Sequence, residues 1–256
     1  MEERYSRNIH SVSAEEQAAL ARRRVLVAGC GGLGGYLIEY LARMGVGEIT
    51  AVDGDVFEPS NLNRQLLSTQ ALLGTGKALA ARERVRAVNP AVAVRAVEAF
   101  LDGENAGGLV RVQDLVLDAL DSVPARLFLE DACAREGVTI VHGAIQGWSA
   151  QVSVVPAGSG LLRRLYGSQA TPREKSSRPF TPPLCAAVQA AEAVKLLCGR
   201  APELAGKLLL ADLRRMEWDV LTLPQPEPGT PEQNPETPGP DGTDASPGES
   251  RSSAAG

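Results

Sequence analysis

The chain carries four cysteines, Cys30, Cys133, Cys185 and Cys198, and no two of them form a CxxC pair. This spacing supports neither a zinc ribbon nor a disulfide framework, so the expected home is a reducing cytoplasm. No apolar run approaches the roughly 20 residues that a membrane-spanning helix needs. The opening Met1-Glu2-Glu3-Arg4 lacks the apolar stretch of a secretory leader. Basic residues are not in excess. Lys and Arg number 26 against 31 Asp and Glu, a net charge of −5, which argues against a nucleic-acid groove. No internal repeat is visible.

What is present organises itself around one turn. Gly29-Cys30-Gly31-Gly32-Leu33-Gly34 follows the apolar run Val25–Ala28 and opens onto an amphipathic stretch ending at Met44-Gly45. Glu48–Val52 is the next strand, and Asp53 ends it about 20 residues after the last glycine of the turn. Strand, glycine turn, helix, strand and acid form a nucleotide-binding βαβ unit. The glycines let the backbone approach a phosphate, the helix N-terminus offers unpaired N–H groups, and the carboxylate accepts from a sugar hydroxyl.

The rest of the chain continues the alternation. Ser13-Ala14-Glu15-Glu16 reads as a capping box for a helix to about Arg23. Leu62–Leu67 reads as a short helical stretch, and a helix runs from Gly76-Lys77 to Asn89-Pro90. Strands are expected at 91–97, 115–118 and 138–141, with a helix from about Val123 to Gly137. This predicts an α/β fold, a Rossmann-like doubly wound sheet that is mainly parallel. Gln151–Val155 has no helix behind it, and 207–212 and 217–223 read as antiparallel C-terminal strands. The helix 184–198 is preceded by Pro182-Pro183. The polar stretch 156–181 is too long for an ordinary connector and reads as a mobile crossover, a lid or disorder. One nucleotide-binding domain over 1–223 is expected, with a Pro/Gly/Ser-rich disordered tail over 224–256.

A lone glycine turn of this kind is also the mark of an NAD(P)-dependent Rossmann oxidoreductase. Hydride transfer, however, has no use for Asn61, Arg64, Gln65, Lys77 and Asp121, which fall in segments that follow strands. A triphosphate needs cations, a divalent metal and a carboxylate to hold the metal. Lys77 sits behind Gly74-Thr75-Gly76, but Ala78 and Ala71 stand where a Walker loop needs Ser/Thr and glycine. His142 ends a strand beside a glycine and reads as part of a pocket floor. Cys30, Cys133 and Cys185 read as packing residues.

Taken together, Arg4-Tyr5-Ser6-Arg7-Asn8, the glycine turn, Asp53-Gly54-Asp55, Ser60-Asn61-Leu62-Asn63-Arg64-Gln65, Gly76-Lys77, Asn89-Pro90, Asp118-Ala119-Leu120-Asp121 and His142-Gly143-Ala144 resemble the ThiF/MoeB/HesA family. These are bacterial relatives of ubiquitin-activating enzymes, and the likeness spans residues 4 to 223. The resemblance implies an adenylyltransferase that uses ATP and Mg²⁺ to adenylate the C-terminal glycine of a ubiquitin-like sulfur carrier ending in Gly-Gly. It implies that Asp53 holds the ribose and that Gly29, Gly31, Gly32 and Gly34 admit the nucleotide. Asn61, Arg64, Gln65 and Lys77 would contact it, and Asp121 would position the metal. Arg7 would reach the phosphates across a homodimer interface.

Two departures matter. Members of the family often hold zinc with two CxxC pairs, but Leu161-Leu162-Arg163-Arg164 stands where the first would be, so no structural zinc is expected. Ser122 follows Asp121, as in the branch that dehydrates threonylcarbamoyladenosine on tRNA. The acidic charge and the Arg4–Asn8 opening favour the protein-carrier branch over a tRNA substrate.

Overall fold

Eight strands form one sheet in the order β3-β2-β1-β4-β5-β6-β7-β8. The structure, a computed structural model, describes residues 2–8, 10–167 and 176–224. The tail read as disordered lies outside the described residues beyond Pro224, as does the middle of the crossover stretch. Strands β1 (Arg24–Ala28), β2 (Glu48–Val52), β3 (Ala93–Val97), β4 (Leu115–Asp118) and β5 (Ile140–Gln146) run parallel. Strands β6 (Ser149–Val155), β7 (Lys207–Asp212) and β8 (Glu217–Thr222) continue the sheet antiparallel. The strand order reverses between β1 and β4. In open α/β sheets, the crevice at the carboxyl ends of two such strands is where ligands bind.

The central strands are apolar on both faces because both faces are covered. Val25 and Val27 of β1 and Leu115 and Leu117 of β4 pack into one core, on the face of α2 (Gly32–Met44), α3 (Lys77–Val88) and α7 (Thr181–Leu197). Leu26, Ala28 and Val116 point the other way, to α4 (Ala106–Val110), α5 (Val123–Glu136) and α6 (Leu161–Tyr166). The capping box holds at the N-terminus of α1 (Ala14–Leu20): Ser13 Oγ accepts from the Glu16 amide at 3.2 Å, and Glu16 Oε2 from the Ser13 amide at 2.7 Å.

Two expectations differ from the fold. Leu62–Leu67 is not a helix but a run of turns after a 3-10 turn at Pro59–Asn61. Its polar side chains bond locally instead of leaving the backbone to a helical ladder. Asn61 Oδ1 accepts from the Glu58 amide at 3.0 Å, and Arg64 Nη1 donates to the Ser60 carbonyl at 3.0 Å. In the crossover stretch, Leu161–Tyr166 is the helix α6, docked rather than loose. Leu161 and Leu162 are buried, and the buried Glu130 of α5 accepts from the first-turn amides of Leu162 (2.7 Å) and Arg163 (2.9 Å). Arg163 Nη2 adds an ion pair to Asp131 at 2.7 Å.

Replacing Glu130 by Ala leaves two amides at the start of α6 without acceptors, at a cost of about 2 kcal/mol. For a domain of this size, that corresponds to a fall in Tm of roughly 4–8 °C. Calorimetry of E130A reads it, and an unchanged Tm would mean that α6 does not depend on the carboxylate.

Candidate functional site

A cavity of about 690 Å³ opens at the carboxyl ends of the parallel strands, roofed on one side by the antiparallel hairpins. The glycine turn forms its edge. Gly29 has φ +93°, and its amide donates to the Val52 carbonyl at 2.8 Å, tying β1 to β2. A Cβ at Gly34 would lie 1.7 Å from the Gly29 carbonyl oxygen, so no side chain fits where α2 crosses the strand end. Gly31 and Gly32 have nothing nearer than 3.5 Å to such a Cβ, and both face the cavity. That leaves bare backbone for a ligand to approach.

Asp53 organises the turn from the next strand. Its Oδ2 accepts from the Cys30 amide at 2.7 Å and its Oδ1 from the Asp55 amide at 2.8 Å. Burial raises its pKa, while those two amides and Lys77 pull the other way. Lys77, at the start of α3, is 6% exposed, and its Nζ lies 2.9 Å from Asp55 Oδ2. Arg64 and Gln65 reach the cavity from the turns after Asn61. Gln65 Oε1 is buried with no hydrogen-bond partner among the described residues. It is an acceptor awaiting a donor. Asp121, exposed at the end of the β4 loop, lines the same cavity.

The cavity therefore gathers Gly29, Gly31, Gly32, Asp53, Arg64, Gln65, Lys77 and Asp121. Gly34 lies under the turn, where its close approach to Gly29 shapes it. Asn61 is buried and caps the Glu58 turn, outside the cavity lining. Arg7 is exposed and does not line the cavity of its own chain. Cys185 is fully buried, its thiol pushed up to about 12 by burial. Burial likewise drives Cys133 to about 12 and raises Cys30.

Sequence reading named His142 but missed the polar cluster around it, which lies beneath the cavity and reaches its lining through Arg126, Gln151 and Tyr166. Asp118 has no exposure, and its Oδ2 meets both His142 Nδ1 (2.7 Å) and Arg126 Nε (3.2 Å). The hydroxyl of Tyr166 lies 2.9 Å from His142 Nε2, and Gln151 Nε2 donates to that hydroxyl at 2.7 Å. The available signal was an aspartate in a strand otherwise wholly apolar. Such a buried charge needs a cation, and Arg126 on the following helix is the next basic residue along the chain.

The ThiF family profile matches residues 5–232. Among curated proteins, the "SAMP-activating enzyme E1" of Haloferax volcanii is 38% identical over 234 residues, covering 86% of this chain and 84% of that protein. The "Sulfur carrier protein adenylyltransferase" of Thermus thermophilus is 37% identical over 235 residues, covering 86% and 87%. Among solved structures, E. coli MccB with ATP superposes with a TM-score of 0.77 at 20% identity, over 89% of this chain and 74% of that one, a likeness of fold.

The buried floor predicts an acid-sensitive stability. Burial holds His142 below its ordinary 6.5, against the pull of Asp118 and with Arg126 adding to the depression. Below about pH 6.5 the unfolded chain takes up a proton that folded His142 refuses, so stability falls on acidification, by at most about 1.4 kcal/mol per pH unit. Burial works to raise Asp118, but Arg126 and His142 hold it below 3.8, so its contribution is present above that value and is lost only in stronger acid. Asp53 and Glu130, both raised by burial, contribute with the opposite sign and are unchanged in a His142 variant. Urea midpoints at pH 7.5 and 5.5 should differ less for H142Q than for the unaltered protein. Equal differences would remove His142 from the acid response.

Proposed function

The chain belongs to the ThiF family, and from that premise we propose that it is an ATP-dependent adenylyltransferase whose substrate is a small ubiquitin-like sulfur carrier. The observation that carries this reading is the convergence of the glycine turn, Arg64, Gln65, Lys77 and Asp121 on one cavity at the sheet's switch point. The printed names of its relatives, an activating enzyme and a sulfur carrier adenylyltransferase, support the same chemistry. The acceptor is the C-terminal glycine carboxylate of a carrier ending in Gly-Gly, for thiamine, molybdopterin or a related sulfur pathway.

That carboxylate is ionised at neutral pH, so no protein base is required. The task is to bring two anions together and to stabilise charge at the α-phosphorus as pyrophosphate leaves. Gly31 and Gly32 leave the backbone open to the nucleotide, and the partnerless Gln65 Oε1 suits a hydroxyl or amine donor from it. Asp53 would accept from the ribose with its remaining lone pairs, and Lys77 and Arg64 would bear on the phosphates. Asn61 would act from the turn that carries Arg64.

Charge supports a divalent cation. Among the described residues, the lining carries Arg64, Lys77 and Arg126 against Asp53, Asp55, Asp121, Asp212, Glu217 and Asp219. A bare triphosphate would enter an acidic hollow at a cost. No cluster of three protein ligands exists among the described residues. Mg²⁺ would therefore be held mainly by the phosphates, with Asp121 as its protein carboxylate. The cysteine spacing favours no structural zinc. Arg7, exposed and away from its own cavity, suits a role in trans within a homodimer. A cytoplasmic place fits a chain in which no described helix is long and apolar enough to cross a membrane.

ATP–pyrophosphate exchange dependent on Mg²⁺ and on a Gly-Gly-terminated carrier tests the proposal. Arg64→Ala and Lys77→Ala should each lower exchange by about 10²–10³-fold while the fold is kept. The absence of exchange with every such carrier encoded beside the gene, or full activity in both variants, would overturn it.

A further inference from the structure

The residues leading to Asp121 are held by contacts to β1, β4 and α5. The Ala119 amide donates to the Ala28 carbonyl at 2.9 Å, and a Cβ at Gly29 would lie 2.8 Å from the Ala119 carbonyl oxygen. The next residue is held on both sides. The Leu120 amide donates to Asp118 Oδ1 at 2.9 Å, and the Leu120 carbonyl accepts from Arg126 Nη2. Asp121 therefore leaves a backbone fixed by β1, β4 and α5, and Arg126 is the side chain that closes the clamp.

Arg126 is in turn fixed by partners outside α5. Its Nε lies 3.2 Å from Asp118 Oδ2, an ion pair without hydrogen-bond geometry, and its guanidinium lies 5.1 Å from the centre of the Tyr166 ring. Ionised Asp118 only accepts, so His142 Nδ1 carries the hydrogen and Nε2 is the acceptor. The Tyr166 hydroxyl then donates to Nε2 and accepts from Gln151 Nε2. One chain of donors runs from β6 through α6 and β5 to Asp118. Among the described residues, Tyr166 touches Arg126 through its ring and the Asp118–His142 pair through its hydroxyl, and Gln151 Nε2 also lies 3.3 Å from His142 Nε2. Tyr166 sits at the end of the helix that Glu130 docks.

We propose that Tyr166 is a positioning residue for Asp121, acting through Arg126 and His142 to keep the Leu120 peptide clamped so that the Asp121 carboxylate faces the nucleotide cavity. The clamp is a property of the fold; giving Asp121 a metal–nucleotide to hold rests on the reading above. Tyr166 also lines the cavity, but its part in the clamp does not depend on contact with substrate.

The test uses the full chain with Tyr166→Phe, which keeps the ring and loses the hydroxyl, and Tyr166→Leu, which loses both. Mn²⁺ is titrated in the presence of a non-hydrolysable ATP analogue, followed by electron spin resonance, and hydrogen exchange is read on peptides spanning 115–122. Mn²⁺ affinity should fall about tenfold in Tyr166→Leu, in the lower range for losing an outer support, and less in Tyr166→Phe. Affinity for the analogue without metal should hold, and exchange at 115–122 should quicken in the same order. In an Asp121→Asn background, Tyr166→Leu should produce no further loss of Mn²⁺, since the two act on one path.

Unchanged protection at 115–122 in both variants overturns the proposal, as does an additive loss in the Asp121→Asn background. If the unaltered protein binds no Mn²⁺–analogue but Tyr166→Leu still loosens 115–122, the clamp is supported and the nucleotide reading falls.

Discussion

An ionised carboxylate with no exposure, Asp118, dictates how the carboxyl end of this sheet is put together. Removed from water, such a charge is tolerated only when paired and hydrogen-bonded. Its partners come from three directions: Arg126 from α5, His142 from β5 and the Leu120 amide from its own loop. A buried pair of this kind is poor evidence for stability, since an apolar replacement often does as well. Here it fixes geometry. The same carboxylate that faces Arg126 through Oδ2 holds the loop carrying Asp121 through Oδ1, and the same arginine ties the Leu120 carbonyl. The floor of the cavity and the placement of one of its acids are a single construction.

The walls are governed by charge of both signs. Lys77 comes from the start of α3 and Arg64 from the turns before it, not from the glycine turn itself. A P-loop concentrates lysine and backbone donors in one loop; this site divides them between the segments after β1 and after β2. Asp53 joins the two, accepting an amide from each. Acids outnumber cations among the described residues of the lining. Within the proposed chemistry, that balance makes the cavity selective for a nucleotide already partly neutralised.

What the sequence made legible was local. The Ser13 capping box, the glycine turn, the doubly apolar strands β1 and β4 and the start of α3 at Lys77 each depend on a few adjacent residues. Most of the expected nucleotide contacts also meet in one cavity, because ordered motifs on alternating strands and helices end at one edge of a parallel sheet. The parts that escaped depend on distant segments meeting. Helix α6 is short and lies in a polar stretch; it is fixed by Glu130, roughly 30 residues earlier. Tyr166 and Gln151 matter only because α6 folds back over β5 and β6. Around Asn61 the error had a different origin, since side chains that favour turns outweighed a helical spacing.

The burial of the thiols has a chemical corollary. With Cys133 and Cys185 displaced to about 12 and Cys30 raised as well, these sulfurs stay protonated and shielded at neutral pH. Cys198, half-buried near Glu16, is also raised, so it too is a poor nucleophile. None of the four cysteines lines the cavity, so within the proposed function an acyl adenylate formed there would meet no thiol of this chain. Within the proposed function, the sulfur that consumes the mixed anhydride would come from elsewhere than these thiols. The exposed intermediate, rather than any covalent link to its maker, would be what is passed on.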